Sequence, residues 1–300
     1  MKNGSSSPAR QARGFTMIRN NAAKVVAVGV LAASAMAADS HKELRFNVGS
    51  RAGISVVNPY GSISVKPASG NTVVVNAVLH SDKVEIDDTA TANRVDIQSH
   101  LLPGADAESG RVDYEILVPA DASLTLQSTN ATLHAEGLRG DVTLEGVGSS
   151  VDVRDVSDAH VHVKTMNGPV TLTNIRNGHV EVDSVSGAVD MNAVTGPLVQ
   201  VISTSGRINY SGDFGSGGEY RLTSHSGDIE AAVPDTTSAD VIARSVKGEV
   251  HDEVHLQPRA HTWFPIKQGS AFAGTVGKAA SSVILRTFSG KILLKRRSEK

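Results

Sequence analysis

Four side chains offer metal-ligand chemistry at a spacing that a repeat would turn into proximity: His160, His162, His179 and Glu181. A 19-residue step would place His179 beside His160 and Glu181 beside His162. Imidazoles and a carboxylate so arranged suit a zinc-like ion. The same set reads equally as an exposed polar ladder with a weak cross-strand ion pair. A second set, Asp190, Asn209 and Glu230, falls in one column with Asp152, Thr171 and His251. On stacked strands Asp190 and Glu230 would lie ~9–10 Å apart, near the separation of the two acids in an inverting glycosidase. That column is a candidate ligand face, although few aromatics accompany it to stack a sugar. The run His251-Asp252-Glu253-Val254-His255 has Asp where a zinc-protease motif needs Glu, and strand context where it needs a helix. No nucleophile elbow, phosphate loop or dinucleotide fingerprint occurs. The expectation is a non-enzymatic chain with no catalytic residue, no cofactor and no metal assigned.

Positioning either set requires strands of fixed repeat. One phrase recurs: Asn167-Gly168-Pro169-Val170, Ser186-Gly187-Ala188-Val189, Ser205-Gly206-Arg207-Ile208, Ser226-Gly227-Asp228-Ile229, Lys247-Gly248-Glu249-Val250 and Ser289-Gly290-Lys291-Ile292. The first five glycines are spaced 19, 19, 21 and 21 residues apart. A second phrase lies midway in the period, with Val161, Val180 and Val199 again 19 apart. Each phrase alternates apolar and polar residues, which puts one strand face in a core and the other in water. A unit of ~20 residues cannot bury its apolar face alone, so such units stack into a continuous core. The predicted fold is an all-β, β-helix-like solenoid of ~19–21-residue coils with two short strands each; a β-sandwich is the alternative. One inward column is expected to run Val151, Val170, Val189, Ile208, Ile229, Val250. Recurring glycine suits a corner where a Cβ would clash.

Residues 38–127 read as less regular strands that start and cap the solenoid, and 128–297 as the repeat, interrupted by an irregular insertion at 254–281 that holds Trp263 and Phe264. Residues 1–37 read as a leader: five basic residues and no acid up to Lys24, an apolar run from Val25, then Ala35-Met36-Ala37. That order predicts a secretory signal peptide cleaved after Ala37, on a chain started at Met1 or Met17. Arg13-Gly14-Phe15-Thr16 resembles a prepilin cleavage region, but Arg19 stands where those carry Glu. No transmembrane span is expected after cleavage. A net charge of −2 argues against a nucleic-acid partner. With no cysteine, the chain has no disulfide, thiolate site or lipidated N-terminal Cys.

The Gly-x-Ile/Val phrases, the Tyr114–Pro119 strand leading into them and the closing Arg286-Thr287-Phe288-Ser289-Gly290-Lys291-Ile292 resemble the bacterial domain of unknown function 4097 over about residues 45–296. That family carries a provisional adhesin label. The resemblance implies a solenoid-like fold at the cell envelope and brings no catalytic residues with it. The expected chain is thus an exported, periplasmic or secreted envelope protein. Its repetitive β-surface would serve adhesion, assembly or envelope sensing, with an envelope protein or glycan as partner. The alternative is a carbohydrate-binding or carbohydrate-active β-helix protein, and the open solenoid ends offer a route to self-association.

Overall fold

The computed structural model describes residues 39–258 and 270–297. The leader 1–37 with its cleavage point at Ala37, the Met17 start, and Trp263 and Phe264 lie outside the described residues.

Two sheets, of 12 and 13 strands, face each other across one core. Through the middle of the chain each coil lays one strand in the 13-stranded sheet, turns a corner, and lays the next in the 12-stranded sheet. His160–Thr165 and Val170–Ile175 form such a coil, followed by His179–Ser184 and Val189–Val194. Successive coils pair in parallel and in register, Val161 with Val180 and Val170 with Val189. The 19-residue step is therefore the vertical step of a β-solenoid, as the periodicity predicts.

Alternation sorts the faces. Val161, Val163, Val180, Val182, Val199 and Val201 are buried from one sheet, and Val170, Leu172, Val189, Met191, Ile208 and Tyr210 from the other. Each such side chain contributes ~1.5–3 kcal/mol of burial relative to exposure. Where the period lengthens from 19 to 21, the extra chain brings in Phe214. It stacks on Tyr210 at 4.8 Å and packs against Tyr220 at 4.9 Å. Burial pushes the Tyr210 hydroxyl far above its ordinary pKa, and it donates within reach of the Val194 and Asp213 carbonyls.

The corner between the sheets is held by two columns. Gly168, Gly187, Gly206, Gly227, Gly290 and Gly248 stack so closely that a Cβ on each would lie 1.7–2.1 Å from the carbonyl oxygen of the residue below. Beside them runs a buried hydroxyl column, Thr165, Ser184, Ser203, Ser224, Thr287 and Ser245. Each hydroxyl bridges to the glycine three residues on. Ser203 Oγ donates to the Gly206 carbonyl at 3.0 Å, and Ser224 Oγ accepts from Gly227 N at 2.8 Å. Replacing Ser203 with alanine should cost about 1 kcal/mol, read as a lower urea midpoint at unchanged slope.

The stacking order departs from chain order at both ends. In the sequence-based column Val250 follows Ile229. In the structure Ile229 pairs with Ile292, and Ile292 pairs with Val250. The C-terminal coil 281–296 is slotted between coils 219–233 and 239–252. At the other end coil 53–68 lies between coils 94–119 and 123–136. Periodicity reports what a coil's neighbour must look like, and not which coil it is.

Beyond the outermost coils the pairing turns antiparallel. Thr72–Leu79 and then Ser40–Asn47 extend one sheet, Val84–Ala90 the other, and Ala271–Val276 with Gln257–Pro258 the far end. The 12-stranded sheet ends on a strand of only three residues, Val250–Asp252. Short and charged edges such as Lys42, Glu43 and Arg45 blunt further strand addition.

Asp39, the first described residue, is tied down by His80. The His80 ring nitrogens lie 2.9 Å from Asp39 and 2.7 Å from Asp113. Burial pushes the Asp113 carboxyl up, but hydrogen bonds from Ser62, His80 and Arg111 outweigh it and hold it below its ordinary 3.8. A carboxyl depressed on folding contributes stability above its unfolded pKa and loses it as pH falls through the folded value. Asp113→Asn should therefore narrow the stability difference between pH 5 and pH 3, measured by urea unfolding at each pH.

Candidate functional site

The sequence-predicted ladders are both assembled on outward faces. His160 lies opposite His179 and His162 opposite Glu181. Glu181 bridges two imidazoles, with Oε2 3.4 Å from His162 Nδ1 and Oε1 3.2 Å from His179 Nε2. The His160 and His179 rings meet edge to face at 4.9 Å. These side chains stand side by side on an open strand face. Among the described residues no group of three or more His, Asp or Glu is arranged to hold a metal ion.

In the second ladder Asp190, Asn209 and Glu230 occupy successive rungs. Asn209 Nδ2 donates to Asp190 Oδ1 at 2.5 Å, and Glu230 pairs with Lys295 Nζ at 2.8 Å. That pairing, by hydrogen bond first and charge second, raises the lysine's pKa. The column does not continue to His251 as the spacing suggested. The inserted coil places Leu293 next to Glu230, with His251 one rung further. Each acid already has a partner, Asn209 for Asp190 and Lys295 for Glu230.

The most distinctive surface is one the strand periodicity did not single out: the outside of the glycine corner. Two files of side chains run along it, one residue per rung. The last exposed strand position reads Val57, Gln127, Glu145, Lys164, Asp183, Ile202, Thr223, Arg286, Arg244. Two residues on, past the buried hydroxyl, Val147, Met166, Val185, Thr204, His225, Phe288 and Val246 follow one another, linked by backbone hydrogen bonds between rungs. Val147, Met166, Val185, Ile202, Phe288 and Val246 are all exposed. In the N-terminal half these apolar tips line a groove of about 540 Å³ that also takes in Glu145, Lys164 and Asp183.

The other half of the corner changes character. The His225 ring stacks on Phe288 at 5.0 Å and 4°, and the Lys247 ammonium sits 4.8 Å over the same ring. Arg286 and Arg244 lie directly opposite each other on adjacent strands. The signal for this surface was legible in the recurring Ser/Thr-x-x-Gly phrase. The hydroxyl and the glycine are turned inward, so the residues between them must point out.

Two long, largely parallel sheets built from in-register coils, with polar ladders on their faces and a mixed apolar and cationic corner, define a β-solenoid repeat protein. More specifically, the chain belongs to the Toastrack DUF4097 family, whose model matches residues 62–295. Among solved structures, a provisionally named cell adhesion protein from Clostridium sporogenes is 11% identical, with a TM-score of 0.24 over 86% of this chain and 100% of that one. A provisionally named adhesin from Bacteroides fragilis is 11% identical, with a TM-score of 0.40 over 86% of this chain and 98% of that one. No curated protein matches the chain.

Proposed function

We propose that the chain is a non-enzymatic, exported cell-envelope protein whose regular β-surface serves adhesion or assembly. The observation that carries this reading is the corner. Exposed apolar residues repeat rung after rung along it, in a groove with room for a partner segment, while the strand faces are closed off by paired charges. A contiguous apolar strip on an exposed surface is the usual mark of an interaction site. The leader sequence and the adhesin names of the two solved proteins are in keeping with an envelope location.

The test is fractionation of cells expressing the full chain, followed by crosslinking and recovery of partners. The expected result is a mature chain in the envelope fraction, crosslinked less when Met166 and Val185 are both changed to Ser. A cytoplasmic, uncleaved chain would overturn the reading. The second reading, a carbohydrate-active protein, has in its favour that Asp190 and Glu230 do lie two rungs apart, ~9–10 Å at ordinary strand spacing. Turnover of a polysaccharide by the purified chain, abolished by Asp190→Ala or Glu230→Ala, would install it in place of the first.

A further inference from the structure

The geometry points to a binding site for a linear polyanion, an acidic polysaccharide, along the C-terminal half of the corner. Arg286 and Arg244 occupy successive rungs of one file, and Lys247 lies in the turn of the Arg244 rung. Like charges directly opposite on neighbouring strands repel. Several other strand cations are ion-paired, as in Arg221 with Glu219, Arg154 with Asp152 and Lys295 with Glu230. Arg286, Arg244 and Lys247 make no ion pair among the described residues. No acid stands in the corner files from Ile202 to Arg244, from Thr204 to Val246, or in the serines of the intervening turns. The nearest acids, past the glycines, are engaged: Asp228 accepts from Lys291 N at 2.7 Å, and Glu249 lies 3.2 Å from His251.

Geometry selects the class of ligand. Arg286 and Arg244 stand side by side on adjacent strands ~4.8 Å apart, parallel rather than converging, with Lys247 beside them in the turn of the Arg244 rung. That suits charge repeated along a thread more than one small anion. Lys247 is held in place by its contact with the Phe288 face, which His225 supports from the rung below. A flat anionic bilayer would also press against Asp228, Glu249 and Glu230 on the adjoining face, whereas a thread laid along the corner meets only the cations. The site exists only because the inserted coil carries Arg286 and Phe288 between the rungs of His225 and Lys247.

This inference deepens the adhesive reading by naming a partner class, and it rests on that reading only for where the polymer would be met. The test is affinity electrophoresis of the full chain through gels containing polygalacturonate, polyphosphate or dextran. Substitutions take a residue type that the same files already carry, at Thr223 and Thr204, so that the coil geometry is kept: Arg286→Thr with Arg244→Thr, and separately Phe288→Thr. Arg94→Gln, remote from the corner and paired with Asp96, is the charge control. The expected result is retardation by polygalacturonate, weakened at least 10-fold in the double variant, about 3-fold in Phe288→Thr and not at all in Arg94→Gln, with no retardation by dextran. Retardation by polyphosphate as well, with the same variant dependence, assigns the shared anion chemistry; retardation by polygalacturonate alone assigns carboxylate. Polyphosphate alone overturns the polysaccharide. Equal binding by the double variant and the parent overturns the site, as does binding only to vesicles containing anionic lipid. These outcomes concern the purified chain, so a failed fractionation and a failed binding site are told apart.

Discussion

Replacing Gly206 with alanine is expected to destabilise the protein by about 3 kcal/mol or more, a loss at the upper end for overpacking a core. The reason is space and not backbone conformation, because Gly206 is not among the residues with positive φ. A Cβ there would lie 2.0 Å from the Gly187 carbonyl oxygen and 2.8 Å from its carbon. Both are backbone atoms of the coil below, so nothing can swing aside, and relief requires two coils to separate. Separation would stretch the bonds between rungs, such as Ser205 N to the Val185 carbonyl at 2.8 Å, and would draw Ser203 Oγ from Gly206. Gly217 provides the contrast. Its φ is +78° and nothing lies within 4 Å of an added Cβ, so Gly217→Ala should cost only the left-handed strain of ~1–2 kcal/mol. Urea unfolding of the two variants, compared at equal slope, checks the ordering. Equal losses would show that the glycine column is not held by contact between coils.

The same column shows what was legible in the sequence. The glycine spacing and the alternating valines gave the coil, its two strands and the register from Val151 to Ile208, because vertical neighbours 19 residues apart must present matching faces. Register past Ile229 was misread for the same reason. Coils 219–233, 239–252 and 281–296 carry interchangeable phrases, so pairing Gly227 with Gly248 is locally as good as pairing either with Gly290. The choice is made by long-range chain connection and by the antiparallel strands that close the end, neither of which has a period. The outward ladders around Glu181 and Asp190 were found because they sit on strands. The corner was missed because two-residue alternation stops at the turn, where a Ser/Thr-x-x-Gly rule takes over. The cationic half of the corner was beyond any local rule, since it joins residues from three coils, one of them out of order.

That misplaced order leads to the second large effect. Removing residues 277–300 takes out only the C-terminal coil, yet it should release far more of the chain than it deletes. Strand Ala239–Ser245 pairs with Ser281–Thr287 on one side and with the hairpin strand Ala271–Val276 on the other. Val250–Asp252 pairs with the C-terminal strand Ile292–Arg296. Without 281–296, residues 234–276 keep their own hairpin but lose every ladder to the body of the solenoid. A short stretch of strands with one unburied face is not stable alone. Limited proteolysis of the truncated chain should trim it back to near Val233, with the coils below left intact, whereas the full chain resists at those sites. Truncation after Val233, which deletes many more residues, should then give a product of similar protease resistance and midpoint. The opposite outcome is equally specific. Coil 239–252 would drop one rung and dock on 219–233, with Gly248 over Gly227, and the truncated chain would resist cleavage. That result would mean the coils are equivalent in energy as well as in sequence, and that only chain connection keeps the C-terminal coil in second place.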